Sequence, residues 1–302
     1  MANEVLLLGA AGQLGQELLP RLQQVGYNVT ALSRQQLDVS DLEAVNRTLE
    51  SLKPTWIVNA AAYTAVDKAQ EQTQLAQAIN CELPALLAAY AHRSNAALLH
   101  YSSDYVFNGQ SKRPYVETDN TDPLSVYGLT KRDGEVAVQS AGARHVILRT
   151  SWVFGALGQN FLKTMLRLAT ERESLRVVAD QIGVPTPADW LADISLQVMQ
   201  LSDRQGVSGL FHATPSGQTQ WHGYAQYLIA QARAMGWPLK TQPESVHAIT
   251  TADYPLPAVR PAYGLLDSQK LANLLGQDWP NWQQGVDRVL ARLHQQTVSA
   301  NG

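Results

Sequence analysis

Short apolar runs alternate with longer amphipathic stretches through the first half of the chain, as in a parallel sheet built from βαβ units. The predicted strands are Val5–Leu8, Asn28–Leu32, Trp56–Asn59, Ala97–Tyr101 and His145–Arg149. The predicted helices are Gln16–Val25, a segment opened by a capping box from Ser40 to Glu43, Leu75–Ala91 and Val126–Ser140. The pattern therefore predicts an α/β fold of the Rossmann type, with a doubly wound parallel sheet.

The pattern changes after about residue 152. Glycine and proline become frequent, and aromatic residues cluster around Trp221–Tyr227, Trp237 and Trp279–Trp282. We therefore predict a Rossmann domain over residues 1–152, completed by part of 175–215. Residues 153–295 are predicted to form a smaller, mixed α/β, mainly substrate-binding portion, so the division is discontinuous. The polar residues 296–302 are predicted to be a flexible tail.

Composition and charge limit the kinds of partner that the protein can bind. The 302 residues are 45% hydrophobic and 16% charged, and the net charge is -3. A net charge of this sign and size does not attract nucleic acid or an anionic membrane. An anionic substrate therefore needs a local cluster of hydrogen-bond donors or cations. The apolar stretch at the N-terminus is too short for a secretory or membrane segment, which predicts a cytoplasmic protein.

Cysteine and histidine give no sign of metal chemistry. The single cysteine, Cys81, excludes an internal disulfide, and its helical surroundings favour a buried structural thiol over a nucleophile. The seven histidines are scattered without the close spacing of a zinc site. The sequence therefore predicts no catalytic metal.

A glycine-rich loop follows the first predicted strand. Gly9, Gly12 and Gly15 are spaced by three residues, with Gln13 and Leu14 between the last two. Small residues let the backbone turn tightly and approach a diphosphate, whose charge the following helix N-terminus stabilises. Because the loop lies between a strand and an amphipathic helix, it predicts a dinucleotide site.

The end of the second strand indicates which dinucleotide is bound. An acidic residue there would bind the 2′-hydroxyl of NAD, whereas this chain has Ser33 and Arg34, which suit a 2′-phosphate. The alternative is that Arg34 is a solvated loop residue. We predict NADPH as the cofactor with NADH tolerated. Two further pairs of predicted contacts are Asp38 and Val39 beside the adenine, and Ala60 and Ala62 against the cofactor.

A tyrosine and a lysine four residues apart supply candidate chemistry. Tyr127 and Lys131 share one face of a predicted helix, where the ammonium can lower the tyrosine pKa and hold the nicotinamide ribose. An isolated pair of this kind arises often by chance. Here Ser103 lies at a strand end upstream, where its hydroxyl can bond a substrate carbonyl. Asn80 either anchors the network behind the lysine or is a structural amide.

Several longer motifs resemble the extended short-chain dehydrogenases/reductases, and within them the dTDP-4-dehydrorhamnose reductase family. The resemblance covers nearly the whole chain. Its motifs lie at residues 12–15, 59–69, 103–107, 127–131, 149–154, 160–165 and 180–186. It implies reduction of the 4-keto group of dTDP-4-dehydro-β-L-rhamnose to dTDP-β-L-rhamnose by NADPH.

The resemblance also implies residue roles that spacing alone does not. The implied cofactor contacts are Gly12, Gln13, Leu14, Asp38, Val39, Ala62, Tyr63, Thr64, Tyr127 and Lys131. The implied sugar-nucleotide contacts are Ser103, Asp104 and Trp152, and we add Asn160 and Arg260 as candidates for the diphosphate or nucleotide. The family often has threonine at the position of Ser103, so the hydroxyl is kept.

A second departure concerns metal. Some family members hold Mg²⁺ between subunits through carboxylates on the first, middle and last helices. Glu17 and Asp189 match, but the last helix offers Arg292 and His294 where an acid is needed. A cation there would form an ion pair in place of the metal, so we expect no metal-bridged dimer. The resemblance leaves open whether the chain is a monomer or a homodimer.

Two rival functions remain open. One is an NAD(P)-dependent sugar-nucleotide epimerase or dehydratase, which Ser33 and Arg34 disfavour. The other is a non-catalytic NADP-binding regulatory subunit, like that of methionine adenosyltransferase. The intact serine, tyrosine and lysine argue against it without excluding it.

Overall fold

The computed structural model describes the backbone of residues 4–301 and the side chains of residues 4–296. Its strands are β1 Glu4–Leu8, β2 Asn28–Leu32, β3 Trp56–Asn59, β4 Ala97–Ser103, β5 Arg144–Thr150, β6 Val153–Phe154, β7 Leu175–Val178, β8 Ile182–Gly183, β9 Thr186–Pro187, β10 Gly209–His212, β11 Thr219–Gln220 and β12 Val246–Ile249.

Helices connect and cover these strands. The α-helices are α1 Gln13–Gln24, α2 Leu42–Leu52, α3 Val66–Ala69, α4 Thr73–Gln77, α5 Leu83–Ser94, α6 Val126–Ser140, α7 Phe161–Glu171, α8 Ala188–Gln205, α9 Trp221–Ala234, α10 Gln269–Leu275 and α11 Trp282–Asn301. A π-helical turn, Ala78–Glu82, joins α4 to α5, and 3-10 turns lie at Asp104–Val106, Pro243–Ser245 and Thr251–Asp253.

Six parallel strands form the main sheet in the order β10-β5-β4-β3-β1-β2. The strand order reverses between β1 and β3, which makes a crevice at the carboxyl ends of the strands. Ligands of doubly wound sheets bind at such a point, and the glycine loop leaves β1 there. The predicted Rossmann-type fold is confirmed.

Each face of the sheet is buried by its own helices. Val5 and Leu7 of β1 pack into one core with residues of α1 and α8, whereas Leu6 and Leu8 pack into a second core with α2, α5 and α6. Because both faces are covered, the strands are apolar at successive positions instead of alternating with polar ones.

A third core lies outside the main sheet. It gathers apolar residues of α7, α9, α11 and the parallel pair β7–β12, with Tyr224 fully buried among them. Between these elements in sequence, α8 packs on the main sheet and β10 pairs with β5. The chain therefore leaves the sheet layer after β5, returns to it, and leaves again.

Local details differ from the predicted ones. The N-cap of α2 is Asp41, which accepts from the Ala44 amide at 2.9 Å, and not Ser40. The Ser40 hydroxyl instead donates to Asp38 at 2.8 Å, so the predicted capping box is wrong. The predicted helix Leu75–Ala91 is interrupted by the π-helical turn.

The end of the chain is helical as far as it is described, since α11 runs to Asn301. Most of the segment 296–302 lies beyond the described side chains, so the flexible tail stays a prediction. Among the described residues, no helix combines the length and apolar character needed to cross a membrane.

Candidate active site

The glycine loop makes a shallow backbone cradle at the switch point. Gly9 has φ of +78°, and a Cβ there would lie 2.7 Å from the Ala60 carbonyl carbon, so only glycine fits between the two chain segments. Gly12 is the N-cap of α1 and supplies no side-chain cap to the first amides of that helix. Those amides and the helix dipole suit a diphosphate, as predicted for this loop.

The predicted adenine end lies on the loop after β2. The Arg34 side chain is exposed, whereas the Ser33 hydroxyl donates to Gln36 Oε1 at 2.8 Å within the loop. Hydrogen bonds from Ser40 chiefly, and the charge of Arg34, keep the pKa of Asp38 below its ordinary value. The loop therefore presents the exposed guanidinium of Arg34 and the exposed carboxylate of Asp38 at its surface, with Val39 half-buried beside them.

A buried amide fixes the next predicted cofactor segment. Asn80, in the π-helical turn, accepts from the Tyr63 amide at 2.9 Å and donates to the Tyr63 carbonyl at 3.1 Å. It also donates to Thr130 Oγ1 at 3.3 Å, next to Lys131 on α6. Asn80 thus ties the segment after β3, which includes Ala62 and Thr64, to the helix that carries the tyrosine and lysine.

The predicted catalytic residues lie together at the carboxyl end of β4. Ser103 is the last residue of that strand, and Tyr127 lies in the first turn of α6, which Ser125 caps by accepting from the Gly128 amide at 3.2 Å. Ser103 is close enough to Tyr127 to lower the pKa of that hydroxyl, against the larger effect of burial, which raises it. Ser103 Oγ donates to Asp104 Oδ1 at 2.9 Å, so Tyr127, Ser103 and Asp104 form a short chain of neighbouring side chains.

Lys131 lies behind this chain and is 2% exposed. Its Nζ donates to the Tyr101 carbonyl at 2.6 Å. Burial lowers the pKa of Lys131 to about 8, while the charge of Glu135 opposes that fall. Burial also raises the pKa of Tyr127 to about 12, with the Ser103 hydrogen bond lowering it and the Asp104 charge raising it. The direction is opposite to the one predicted, because desolvation dominates and the Lys131 ammonium is not among the groups that shift the pKa of Tyr127.

Asp104 is a buried carboxyl group, 2% exposed, in the 3-10 turn that directly follows β4. Burial raises its pKa to about 7, although hydrogen bonds from Ser103 and from backbone amides act in the opposite direction. No cation forms an ion pair with Asp104 in the described part of the chain. It is therefore a carboxyl group whose charge is poorly compensated.

Trp152 has an unusual backbone conformation for a large side chain, with φ of +45°. Its indole stacks on Trp221 with ring centroids 3.7 Å apart and planes 15° from parallel. A Cβ at Gly183 would lie 2.7 Å from the Trp152 ring, so that glycine permits the close approach. Strain of this kind is concentrated at functional sites. One face of the Trp152 indole is thus already covered by protein.

A cavity of about 840 Å³ lies beside these tryptophans in the third core. Its lining includes Phe161, Gln181, Trp221 and Arg260, with a floor of apolar residues from α7 and β7. Trp221 Nε1 donates to Gln181 Oε1 at 3.2 Å, which fixes both side chains. The cavity does not reach Tyr127 itself. At its edge, Trp221 stacks on Trp152 and Arg260 pairs with Asp67.

Arg260 is already paired across the cleft. Its Nη1 and Nη2 donate to the two Asp67 carboxylate oxygens at 3.0 and 2.8 Å, and the Ala258 amide donates to the same carboxylate at 3.2 Å. Near it, the ring of Tyr105 lies edge-on to that of Tyr127, with centroids 5.4 Å apart. This predicted diphosphate ligand therefore lines the cavity and is held by a carboxylate of the segment after β3.

Asn160 connects the two layers from the other side. It caps α7 by accepting from the Lys163 amide at 3.1 Å, and its Nδ2 donates to Gln13 Oε1 at 2.9 Å. Gln13 belongs to the glycine loop, so the helix that lines the cavity is linked directly to the predicted diphosphate cradle.

The predicted metal positions hold ion pairs. Arg292 Nη1 lies 2.5 Å from Glu17 Oε1, and Arg288 Nε lies 2.7 Å from Asp189 Oδ2. Arg21 also contacts Glu17 at 2.9 Å. Guanidinium groups therefore pair with both carboxylates, and no cluster of three potential ligands occurs among the described residues. These residues do not fit the intersubunit metal of some family members.

Sequence reasoning missed several residues of this site. Asp67, Tyr105, Gln181 and Trp221 were given no role, although the first three lie in motifs that carried the resemblance. Cys81 was expected to be buried and is half-buried. Burial, with the charges of Asp133 and Glu82, raises the pKa of its thiol, which does not favour a nucleophile.

Known proteins resemble the chain over nearly its full length. The dTDP-4-dehydrorhamnose reductase of Escherichia coli (strain K12) is 43% identical over 299 residues, which covers 97% of this chain and 99% of that protein. The structure of a dTDP-4-dehydrorhamnose reductase ortholog from Clostridium acetobutylicum has a TM-score of 0.87 at 35% identity, covering 96% and 99% of the two chains.

A second solved structure extends this likeness. The dTDP-4-dehydrorhamnose reductase of Bacillus anthracis, determined in complex with NADP, has a TM-score of 0.87 at 32% identity and covers 97% of this chain and all of that one (100%). Residues 3–295 match the family model of the RmlD substrate binding domain. The chain therefore belongs to the dTDP-4-dehydrorhamnose reductase family of oxidoreductases, as its sequence motifs predicted.

Proposed function

We propose that this protein uses NADPH to reduce the 4-keto group of dTDP-4-dehydro-β-L-rhamnose to dTDP-β-L-rhamnose. The observation that carries the proposal is the placement of Ser103, at the end of β4, together with Tyr127 and the buried Lys131 on α6. This arrangement places a proton donor and a second hydroxyl at the edge of a dinucleotide crevice. We infer the substrate from the family, since the relatives described above are named dTDP-4-dehydrorhamnose reductases.

Tyr127 is the general acid in this proposal. When bound, the cofactor supplies a hydride, which adds to the carbonyl carbon, and the former carbonyl electron pair remains on oxygen. Tyr127 gives its proton to that oxygen, which forms the alcohol. A pKa raised to about 12 keeps the hydroxyl protonated at neutral pH. The phenolate left behind is formed near the Lys131 ammonium and regains a proton from solvent.

Ser103 positions the carbonyl. Its hydroxyl accepts from the Tyr105 amide at 3.2 Å and donates to Asp104 in the described structure. Rotation about its Cβ–Oγ bond directs the hydrogen to a substrate oxygen instead. When Asp104 is protonated, it carries no negative charge and does not need the hydrogen bond that Ser103 donates. The raised pKa of Asp104, about 7, makes this exchange accessible near neutral pH.

Cofactor binding in this proposal uses the two loops at the switch point. The α1 amides and Gln13 hold the diphosphate, and the exposed Arg34 with Ser33 binds the 2′-phosphate of NADPH. The relative from Bacillus anthracis was solved with NADP, which supports this choice. NADH lacks the 2′-phosphate, so we expect it to be used less well.

The cavity in the third core suits the rest of the substrate. Its apolar floor can receive the thymine base, and Arg260 at its edge can contact the diphosphate. In this proposal Asn160 bonds phosphate and Trp152 packs against the sugar.

The test is the absorbance of NADPH with purified protein and enzymatically generated dTDP-4-dehydrorhamnose, with NADH in parallel. We expect rapid oxidation of NADPH, slower oxidation of NADH, and dTDP-rhamnose as the product. NADPH binding without oxidation would contradict the proposal and favour a regulatory subunit. Conversion of another sugar nucleotide without net NADPH consumption would favour an epimerase or dehydratase.

A further inference from the structure

A second buried charged cluster lies one helical turn beyond Lys131. Arg149 on β5 donates to both carboxylate oxygens of Glu135 on α6, at 2.8 and 2.6 Å. The two side chains are 4% and 2% exposed. His212 on β10 lies 3.5 Å from Arg149 Nη1. None of these residues has a part in the reaction proposed above.

The ion pair is held rigidly. The Arg149 guanidinium lies 5.0 Å from the centre of the Phe107 ring, and His212 Nδ1 lies 3.1 Å from the Asp267 carbonyl oxygen. Burial chiefly, with the nearby Arg149 charge, lowers the pKa of His212 to about 3, so this histidine is neutral. The Glu135 carboxylate is therefore fixed in place and shielded from solvent.

Glu135 faces Lys131 on the same helix. Residues four apart on a helix are neighbours, and both side chains are buried between α6 and the sheet. The hydrogen-bond partner of Lys131 Nζ, the Tyr101 carbonyl, is neutral. Of the charges around it, that of Glu135 opposes the effect of burial on the Lys131 pKa.

The other titratable groups near this end of α6 do not replace Glu135. On β4, burial and the charge of Lys131 lower the pKa of His100 well below its ordinary value, so it is neutral. Burial raises the pKa values of Tyr101, Tyr105 and Tyr127, so these hydroxyls stay protonated near neutral pH. Asp104 titrates near pH 7 and is bonded to Ser103.

We propose that Glu135, clamped by Arg149, is a positioning residue that keeps Lys131 charged within the active site. The inference rests on the proposed role of Lys131 beside Tyr127. A buried ion pair is weak evidence for stability, because apolar residues of similar volume often serve as well. A carboxylate buried one turn from the ammonium of Lys131 stabilises that positive charge, which an apolar side chain cannot do.

The test measures the titration of Lys131 directly. The chain has seven lysines, so labelling with lysine enriched in ¹³C at Cε gives few NMR signals, and Lys131→Met identifies the one from Lys131. We compare the natural protein with E135Q, with the double variant E135M/R149M, and with D133N. Asp133 is half-exposed on the same helix and pairs with Arg132, so D133N controls for the loss of one charge.

We expect the Lys131 titration midpoint to fall by about one pH unit in E135Q, since a nearby opposite charge has effects of that size. The fall should be smaller in E135M/R149M, which removes both charges, and D133N should match the natural protein. E135Q leaves a buried guanidinium without its carboxylate. If it does not fold, the double variant carries the test.

A midpoint unchanged in folded E135Q or E135M/R149M would overturn the proposal and leave the pair as a tie between α6 and β5. This measurement needs no substrate, so it is independent of whether the proposed reaction is correct. Where the reductase activity is confirmed, the loss of kcat at alkaline pH should begin at lower pH in the same variants. A structural tie alone would lower kcat without moving the pH profile.

Discussion

Replacement of Asp104 by asparagine should stabilise the fold, and by more at alkaline than at acidic pH. The Asp104 carboxyl is 2% exposed and its pKa rises from 3.8 to about 7, chiefly through burial. The folded state therefore binds this proton more tightly than the unfolded state. As pH rises from the unfolded to the folded pKa, the unfolded chain releases the proton first, so unfolding becomes more favourable.

The size of the effect follows from the two pKa values. The difference is about 3 units, and each unit corresponds to about 1.4 kcal/mol. The destabilisation by the ionised group thus approaches about 4 kcal/mol above pH 7, and it is roughly 1–2 kcal/mol near pH 5. Asparagine keeps an acceptor for Ser103 and carries no charge. The advantage of Asp104→Asn should therefore grow by about 2–3 kcal/mol between pH 5 and pH 8.

Urea unfolding followed by circular dichroism at these two pH values measures that growth. Asp133→Asn, which removes a half-exposed carboxylate on α6, controls for the general effect of one negative charge. Equal stabilisation by Asp104→Asn at both pH values would show that the Asp104 carboxyl is compensated in the folded state. The assignment of its raised pKa to burial would then be wrong.

Three further predictions concern the site. Tyr127→Phe should keep NADPH affinity, measured by fluorescence, and lose turnover by about 10²–10⁴-fold, since only the proton donor is removed; near-normal kcat would refute its role. Arg34→Ala should weaken NADPH by about tenfold or more and NADH far less; equal losses would show that Arg34 does not contact the 2′-phosphate. Chelation by EDTA should change neither activity nor sedimentation, because Arg292 and Arg288 already pair with Glu17 and Asp189; loss of either property would contradict this.

The parts of the site that are local in sequence could be predicted from it. The glycine loop follows its strand directly, and Tyr127 and Lys131 share a helix face because they are four residues apart. Ser103 ends β4, and in a parallel sheet all such ends meet at one edge. The topology of a parallel sheet therefore brings these short motifs together at one site. This can be predicted without knowing how the side chains pack.

Contacts between distant segments could not be predicted in this way. Arg260 and Asp67 are separated by 193 residues, and their pairing depends on how the third core packs against the sheet. The N-cap of α2 was misplaced by one residue, because Ser40 and Asp41 are both good caps and the turn with Asp38 uses the hydroxyl. The pKa of Tyr127 was predicted in the wrong direction, because desolvation depends on neighbours that spacing does not reveal.

Several features that cost free energy of folding lie at the carboxyl ends of the central strands. The rest of the fold offsets this cost. Asn59 Oδ1 and His100 Nε2 are buried there without a hydrogen-bond partner among the described residues, although the two side chains contact each other at 3.1 Å. Asp104 holds a poorly compensated charge, and Trp152 has a strained backbone. Each of these costs free energy of folding. Because all three lie where the proposed reaction occurs, substitutions that relieve them should increase stability and reduce turnover together, whereas equivalent changes in the two sheet cores should only destabilise the protein.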